Sequence, residues 1–381
     1  MPVRVSSWRI TIIFQVFLLN YFISLILIFS LLFPNALVSF KAYTRPPITG
    51  VINPLINKSE IGEVNNVEKA KFKKSVGAWF PYWDQKNATR SFRQNKDVLN
   101  EISPYWYFVK SDGTLKASSK FNLSVIKEAK KASIKVIPMV SNNFDGNKIS
   151  NIINNPSLRK VHIRELTNKV VKRDLDGIDL DYEGLLAKDR KSYARFVKIL
   201  AKELHKHDKL LSVTLQAKVK KPGHTNATKA QSWPELGKHA DRLRIMAYDY
   251  HWKTSGPGPI APRFWVEQVA KFAKKTIPSH KVIIAIGTYG YNWDGSGRAK
   301  AITVAQAKQL AKSKKVPIRR DKKSFEQFLK LGPGKPRIWL QDSGSLKAKL
   351  KIVKKYNLGG VVFWRLGDED PNTWKVLKEH L

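Results

Sequence analysis

Residues 174–183 read Asp-Leu-Asp-Gly-Ile-Asp-Leu-Asp-Tyr-Glu, which places five carboxylates within ten positions. The whole chain has 30 acidic residues against 69 Lys and Arg, so this local concentration of acid needs a physical reason. If the stretch is a strand, alternate side chains share a face, and Asp179, Asp181 and Glu183 lie on the same face as Gly177. The intervening Ile, Leu and Tyr then point to the other face and pack into a core.

Carboxylates held this close cannot all ionise cheaply, so the row should raise the pKa of at least one member and share protons along the line. A terminal Glu183 that stays protonated near neutral pH would be a general acid. A calcium loop is an alternative, but an EF-hand does not alternate bulky Ile and Leu between its acids. A solvated acidic strand is another, but it would gain nothing from repelling carboxylates. The crowded row therefore favours an active site.

Residues 176–183 resemble the complete signature of the family-18 glycoside hydrolases, Asp-Gly-x-Asp-x-Asp-x-Glu. The resemblance implies that the motif ends the fourth strand of a TIM barrel and that Glu183 is the proton donor. It implies that Asp181 orients the substrate's acetamido group and that Asp179 shares a proton with Asp181. The acetamido oxygen would be the nucleophile, giving retention. The expected substrate is a β-1,4-linked N-acetylglucosamine polymer, either chitin or peptidoglycan.

Two further stretches fit the same family. Residues 246–249, Met-Ala-Tyr-Asp, resemble its Met-x-Tyr-Asp motif. This implies that Tyr248 bonds the acetamido carbonyl and that Asp249 helps to position the sugar. Trp364 ends an apolar run where the family keeps a Trp beneath the scissile sugar. Further candidates for substrate contact are Asp176, Tyr82, Trp83, Trp106, Trp252, Tyr291 and Trp293.

The rest of the pattern agrees with a single catalytic domain at 75–381. Short apolar runs alternate with amphipathic stretches, which predicts a parallel sheet covered by helices, an α/β fold. Eight runs indicate a (β/α)8 barrel, and the segment between the seventh and eighth runs predicts a small α+β insertion. The runs are 76–82, 105–109, 135–140, 177–181, 211–215, 243–248, 282–286 and 360–364; helices are expected at 123–132, 158–172, 193–205, 264–275 and 346–356. In the insertion we expect a helix at 303–313 and a hairpin formed by 325–329 and 337–340.

The N-terminal part has a different composition. Residues 10–33 carry no charge and are long enough to cross the roughly 30 Å core of a bilayer, which predicts a membrane helix within 1–40. We expect an uncleaved single-pass anchor with the catalytic domain outside the cytoplasm, or a secreted enzyme if the segment is cleaved. Residues 41–74 are polar and read as a linker.

The net charge of +39 indicates attraction to an acidic surface or a generally Lys-rich proteome, and composition does not separate the two. No cysteine is present, and the eight His have no metal-binding spacing, so neither metal nor cofactor is expected. No nucleic-acid-binding motif appears, and we expect a monomer. Two other functions remain open: a non-hydrolytic carbohydrate-binding protein on the same barrel, and a basic membrane protein that binds acidic polymer. The LysM wall-binding repeats of related bacterial enzymes are absent from the sequence.

Overall fold

The computed structural model describes residues 74–295, 298–334, 337–367 and 369–381. Parallel strands close into a ring, because the first strand pairs with both the second and the last. The strands up to the end of the ring's seventh position are β1 Ser75–Phe80, β2 Glu101–Val109, β3 Leu115–Ala117, β4 Lys135–Val136, β5 Met139–Ser141, β6 Gly177–Asp181, β7 Leu210–Gln216, β8 Arg242–Met246 and β9 Val282–Gly287. The ring is completed by β15 Gly360–Trp364, while β3 pairs antiparallel to β2 outside it. The predicted eight-position barrel is confirmed.

The third barrel position differs from its prediction as one run at 135–140. It consists of β4 and β5, which both pair with β2 and are separated at Pro138. Proline has no N–H to donate to a ladder, which accounts for the interruption. Its carbonyl still accepts a 2.9 Å hydrogen bond from the Asp179 N–H. The strand that carries the acidic row is therefore fixed here by backbone bonding.

Strand β6 has the predicted alternation. Ile178, Leu180 and Tyr182 are fully buried in the layer between barrel and helices, while the acids point to the barrel axis side. At Gly177, an added Cβ would come within 2.3 Å of the Leu210 carbonyl oxygen. The glycine therefore allows β7 to pack closely against the start of β6.

Helices surround the barrel and bury one face each, as their apolar spacing requires. They are α1 Gln85–Gln94, α2 Leu123–Lys131, α3 Gly146–Asn154, α4 Pro156–Lys172, α5 Arg190–His205, α6 Asn226–Ala230, α7 Trp233–His239, α8 Arg263–Thr276, α9 Val304–Ser313, α10 Ser343–Lys355 and α11 Thr373–His380. Two of them begin earlier than predicted because of their caps. The Asn155 side chain accepts from two N–H groups of α4, whose first residue is Pro156, and Asp342 caps α10 in the same way.

The predicted insertion lies between β9 and β15. Its strands are β10 Gly290–Asn292, β11 Lys300–Ile302, β12 Arg319–Arg320, β13 Gln327–Leu329 and β14 Ile338–Leu340, in the sheet order β11-β10-β14-β13-β12. The expected hairpin is present as the antiparallel pair of β13 and β14. Helix α9 packs on this sheet through small apolar residues. The sheet is larger than predicted, because β10, β11 and β12 are too short to show a sequence period.

Residues 1–73 lie outside the described residues, and with them the predicted membrane helix and nearly all of the predicted linker. Among the helices of the described ranges, none combines the length and apolar character needed to span a bilayer.

Candidate active site

The acidic row ends β6 at the mouth of the barrel. Asp179 and Asp181 are 0% and 8% exposed, and Glu183 follows them, partly buried at the rim. Burial, and then the charges of Glu183 and Asp179, raise the pKa of Asp181 well above its ordinary value. Burial also raises the pKa of Glu183 to about 7, although a hydrogen bond with Gln216 opposes the shift. Glu183 can therefore hold a proton near neutral pH.

Asp179 has a different environment from the two acids above it. Its carboxylate accepts from the Trp79 indole N–H at 3.0 Å, from the Arg244 guanidinium at 2.8 Å and from the Thr214 hydroxyl at 3.2 Å. Arg244 is itself fully buried. Asp179 is thus an ion-pair partner, which differs from the expectation that it shares a proton with Asp181. Asp181 Oδ1 has no hydrogen-bond partner within the described part of the chain.

The backbone of Glu183 is held from the neighbouring strand end. The buried Asn142 side chain accepts from the Glu183 N–H at 2.9 Å and donates to the Glu183 carbonyl at 2.7 Å. The turns that follow are in direct backbone contact, since a Cβ at Gly146 would meet the Gly184 carbonyl oxygen at 1.8 Å. Phe144, between them, has a left-handed φ of 60° and is 69% exposed. These contacts fix the height at which the Glu183 carboxyl enters the mouth.

Tyr248 and Asp249 follow β8 and lie beside the row. Burial raises the pKa of Tyr248 well above 10, and the nearby charges of Asp181, Asp249 and Glu183 raise it further. The phenol therefore stays protonated and can donate a hydrogen bond. Asp249 has a left-handed φ of 57°, which Asp tolerates, and accepts a short hydrogen bond from the Tyr289 hydroxyl. The structure brings both predicted residues to the mouth.

An aromatic surface borders the acids. Trp364 packs with ring-centroid distances of 5.8 Å to Trp79, 6.0 Å to Trp83 and 6.4 Å to Tyr105. Trp79 also donates to Asp179, so the Trp364 ring lies next to the acidic row. Tyr82 contacts both Trp83 and Tyr105 edge to face. Such aromatic faces can carry the apolar side of a sugar ring.

Two predicted substrate contacts are wrong in position. Asp176 precedes β6 at the opposite end from Glu183, and its carboxylate accepts from the Val136 N–H at 2.7 Å. It therefore joins β4 to β6 and does not reach the mouth. Trp106 is fully buried against Phe121, because strand alternation turns it outwards and turns its neighbour Tyr105 inwards.

The predicted aromatic residues of the later loops differ in accessibility. Trp293 is 7% exposed, and its indole N–H donates to the Ser255 carbonyl at 2.8 Å, so it supports the loop after β8. Tyr291 is also buried, in the same cluster. Trp252, on that loop, is 47% exposed, and Trp83 is 45% exposed. Trp252 and Trp83 are therefore the accessible members of the predicted set.

Five partners of the site were not predicted: Asn142, Gln216, Arg244, Tyr105 and Tyr289. Arg244 had a sequence signal, since an arginine between apolar residues in a barrel strand needs a buried acid. Within the described ranges, no group of three or more His, Asp or Glu side chains is arranged to hold a metal ion.

A protonated carboxyl at about neutral pH, a second buried carboxyl beside it and a flanking aromatic surface define an acid-base glycosidase on a TIM barrel. Comparison with known proteins gives the family. The chain matches the glycosyl hydrolases family 18 over residues 78–370 and belongs to that family. The chain is a glycosidase.

Relatives and solved structures agree with this assignment. The chain is 27% identical over 306 residues to the cortical fragment-lytic enzyme of Bacillus anthracis, covering 77% of this chain and 70% of that protein. The structure is similar to the spore cortex-lytic enzyme SleL of Bacillus megaterium, with a TM-score of 0.74, 25% identity and coverage of 81% and 74%. A class V chitinase from Pseudomonas fluorescens gives a TM-score of 0.76 at 22% identity, with coverage of 81% and 99%, and this likeness concerns the fold.

Proposed function

We propose that the chain hydrolyses β-1,4-linked N-acetylglucosamine polymers by substrate-assisted catalysis with retention of configuration. The observation that carries this proposal is the position of the two upper acids. A conventional retaining enzyme needs a carboxylate about 5 Å from the acid, on the opposite face of the sugar. Asp181 is two residues from Glu183 on the same strand face, so it lies on the acid's side. The acetamido oxygen of the substrate is then the nucleophile.

The two steps use the same groups. Glu183 donates its proton to the glycosidic oxygen as the bond to C1 breaks, while the acetamido oxygen bonds to C1 and forms an oxazolinium ion. Asp181 accepts the acetamido N–H and stabilises the positive charge that develops there. Tyr248, which stays protonated, donates to the acetamido carbonyl and holds it for attack. Glu183 then removes a proton from water, which adds to C1 and opens the ring.

The polymer can be chitin or peptidoglycan, which share the N-acetylglucosamine unit that this mechanism needs. The names of the relatives support both classes. A non-hydrolytic carbohydrate-binding role is the alternative, and the retained Glu183 and Asp181 carboxyls argue against it. Asp249, the other acid at the mouth, has an oxygen occupied by Tyr289 and is poorly suited to attack the sugar.

The test uses the full-length protein with chitin oligosaccharides and, separately, with purified peptidoglycan. Mass spectrometry identifies the new reducing ends, and NMR identifies the anomer formed first. We expect β-anomer product and no turnover of an analogue whose scissile sugar lacks the N-acetyl group. An α-anomer as first product, or full-speed cleavage of the de-acetylated analogue, would contradict the mechanism. Binding without any turnover would favour the carbohydrate-binding alternative.

We also propose that residues 10–33 anchor the protein in a membrane with the barrel on the outer side. This proposal is supported by 24 consecutive uncharged residues. Membrane fractionation with N-terminal sequencing tests it. Recovery of the intact full-length chain in the soluble fraction would contradict the anchor, and recovery of a shortened chain outside the cells would indicate cleavage.

A further inference from the structure

A chain of buried charges runs beneath the acidic row. The Arg244 guanidinium donates to Asp179 at 2.8 Å, to the Ser103 hydroxyl at 2.8 Å and to Glu101 at 2.8 Å. Glu101 also pairs with Arg242 at 2.8 Å. Arg244, Asp179 and Glu101 are at most 1% exposed, so this network lies inside the barrel, away from solvent.

The fold makes room for this network. A Cβ at Gly77 on β1 would come within 2.7 Å of the Glu101 side chain, so a glycine is needed where Glu101 crosses. The network is also balanced in charge: two arginines, Arg242 and Arg244, face two carboxylates, Glu101 and Asp179. Buried ions are tolerated only when they are paired and hydrogen-bonded in this way.

We propose that Arg244 is a positioning residue that keeps Asp179 a permanent carboxylate, so that the exchangeable proton of the site is confined to Asp181 and Glu183. This inference rests on the proposed function and deepens it. Asp179 accepts from Arg244, Trp79 and Thr214, and all three donors favour its ionised form. Asp181 has one oxygen without a protein partner in the described ranges, so it can take the proton that Asp179 does not.

Other groups around the network do not titrate in the working range. Burial raises the pKa of Tyr105 to about 12 and raises those of Tyr193 and Tyr248. His162, behind β6, bonds the Tyr182 hydroxyl, and burial lowers its pKa to about 4. The charged groups that act on Asp179, Asp181 and Glu101 are Arg242, Arg244, Lys135 and Glu183. Of these, Glu183 alone changes charge near neutral pH.

The consequence is a specific pH profile. With Arg244 present, Asp179 stays ionised and the acidic limb belongs to Asp181. Without the guanidinium, Asp179 is a buried carboxylate that loses its counter-charge, so its pKa rises and it is protonated as the pH falls. A proton on Asp179 changes the field at Asp181, and the acidic limb of kcat should move to higher pH by about one unit or more.

The test compares three full-length proteins: wild type, Arg244→Lys, and the double variant Glu101→Gln with Arg244→Met. The double variant removes one charge of each sign, which avoids leaving Glu101 buried without Arg244. Arg244→Lys keeps the charge and should keep the acidic limb near its wild-type position. We expect the limb of the double variant alone to shift upwards. A lower kcat with unshifted limbs in the double variant would mean a merely structural role and would overturn the inference.

A second readout does not depend on activity. Carbon-13 NMR follows the aspartate carboxyl signals during a pH titration, and Asp179→Asn identifies the Asp179 signal. In wild type we expect no protonation of Asp179 between about pH 4 and pH 8, and in the folded double variant we expect protonation within that range. Titration of Asp179 in wild type overturns the inference even if the double variant does not fold. If wild type hydrolyses no substrate, the proposed function fails, and this titration still decides the role of Arg244.

Discussion

Glu183 in the barrel and Glu326 in the insertion are both buried, and burial raises the pKa of both. Their partners differ. Glu326 accepts from the Ile260 N–H at 2.7 Å and the Ala261 N–H at 2.6 Å, and the charge of buried Lys349 acts on it. Glu183 has a hydrogen bond with Gln216 and the negative charges of the acids around it.

This difference separates a structural carboxyl from a chemical one. Both oxygens of Glu326 are occupied by backbone donors, so it joins the loop after β8 to the insertion and has no free oxygen to react. Glu183 is held through its backbone by Asn142, which leaves its carboxyl available for proton transfer. Burial alone therefore does not identify a catalytic acid; the donors around each oxygen do.

The largest expected effect is that of Glu183→Gln. The amide keeps the shape but cannot donate the proton, so kcat should fall by about 10³-fold or more. Sugar binding should change little, since the aromatic surface is untouched. Initial rates with chitin oligosaccharides, together with equilibrium binding, measure both quantities. Glu326→Gln is the matched control in the insertion; a larger loss of kcat in the control than in Glu183→Gln would reverse the comparison.

Tyr248→Phe should have the next largest effect. Loss of one donor to the acetamido carbonyl should lower kcat about 10²-fold, by analogy with removal of a donor from an oxyanion hole. KM should change much less, because the bond matters most during attack. Steady-state kinetics of the variant test this expectation. An unchanged kcat with a higher KM would assign Tyr248 to simple substrate binding.

Glu326→Ala should act on stability. It leaves the Ile260 and Ala261 N–H groups and the Lys349 charge buried without their partner, which should lower the free energy of unfolding by about 2 kcal/mol. Urea unfolding at neutral pH measures the change. Replacement of both Glu326 and Lys349 by uncharged residues should cost less than the single change. If the single variant is as stable as wild type, Glu326 does not have the structural role that the comparison gives it.

The smallest expected effect concerns pH. The pKa of Glu183 is raised from 4.5 to about 7, so the native state binds more protons than the unfolded chain in this interval. Its stabilising contribution is therefore present below about pH 4.5 and is lost as the pH rises towards 7. Glu183→Gln should remove this loss and be about 1 kcal/mol more stable than wild type at pH 8, after allowance for partial exposure. Urea unfolding at pH 4 and pH 8 checks the sign; equal slopes with pH for both proteins would contradict it.

Much of the fold could be predicted because β6 and the other barrel strands have clear apolar runs separated by helical periods. The misses were local: Pro138 splits a strand, and the Asn155 and Asp342 caps start two helices early. Strands of two or three residues in the insertion carry too little pattern to be read from sequence.

The site was predicted where the chemistry lies on one strand or at one strand end. Asp181 and Glu183 are two residues apart, so alternation alone puts them together. Arg244 and Asp179 are on different strands, and their contact depends on which interior layer of the barrel each reaches. Asn142 presents no unusual sequence feature, because its role is to bond the backbone of Glu183 from a neighbouring turn. Asp176 shows the opposite error: it shares the motif but lies at the other end of the strand.

The contact between the turns at Gly146 and Gly184 has a consequence for loop exchange between related barrels. The Gly146 and Gly184 backbones touch with no space for a Cβ at Gly146, and Asn142 bonds across the same junction to Glu183. A graft that replaces residues 142–146 alone would place a foreign side chain against a carbonyl oxygen of the recipient. The segments 142–146 and 183–185 therefore form one exchangeable unit, and a chimera that alters the mouth on this side must take both from the same parent.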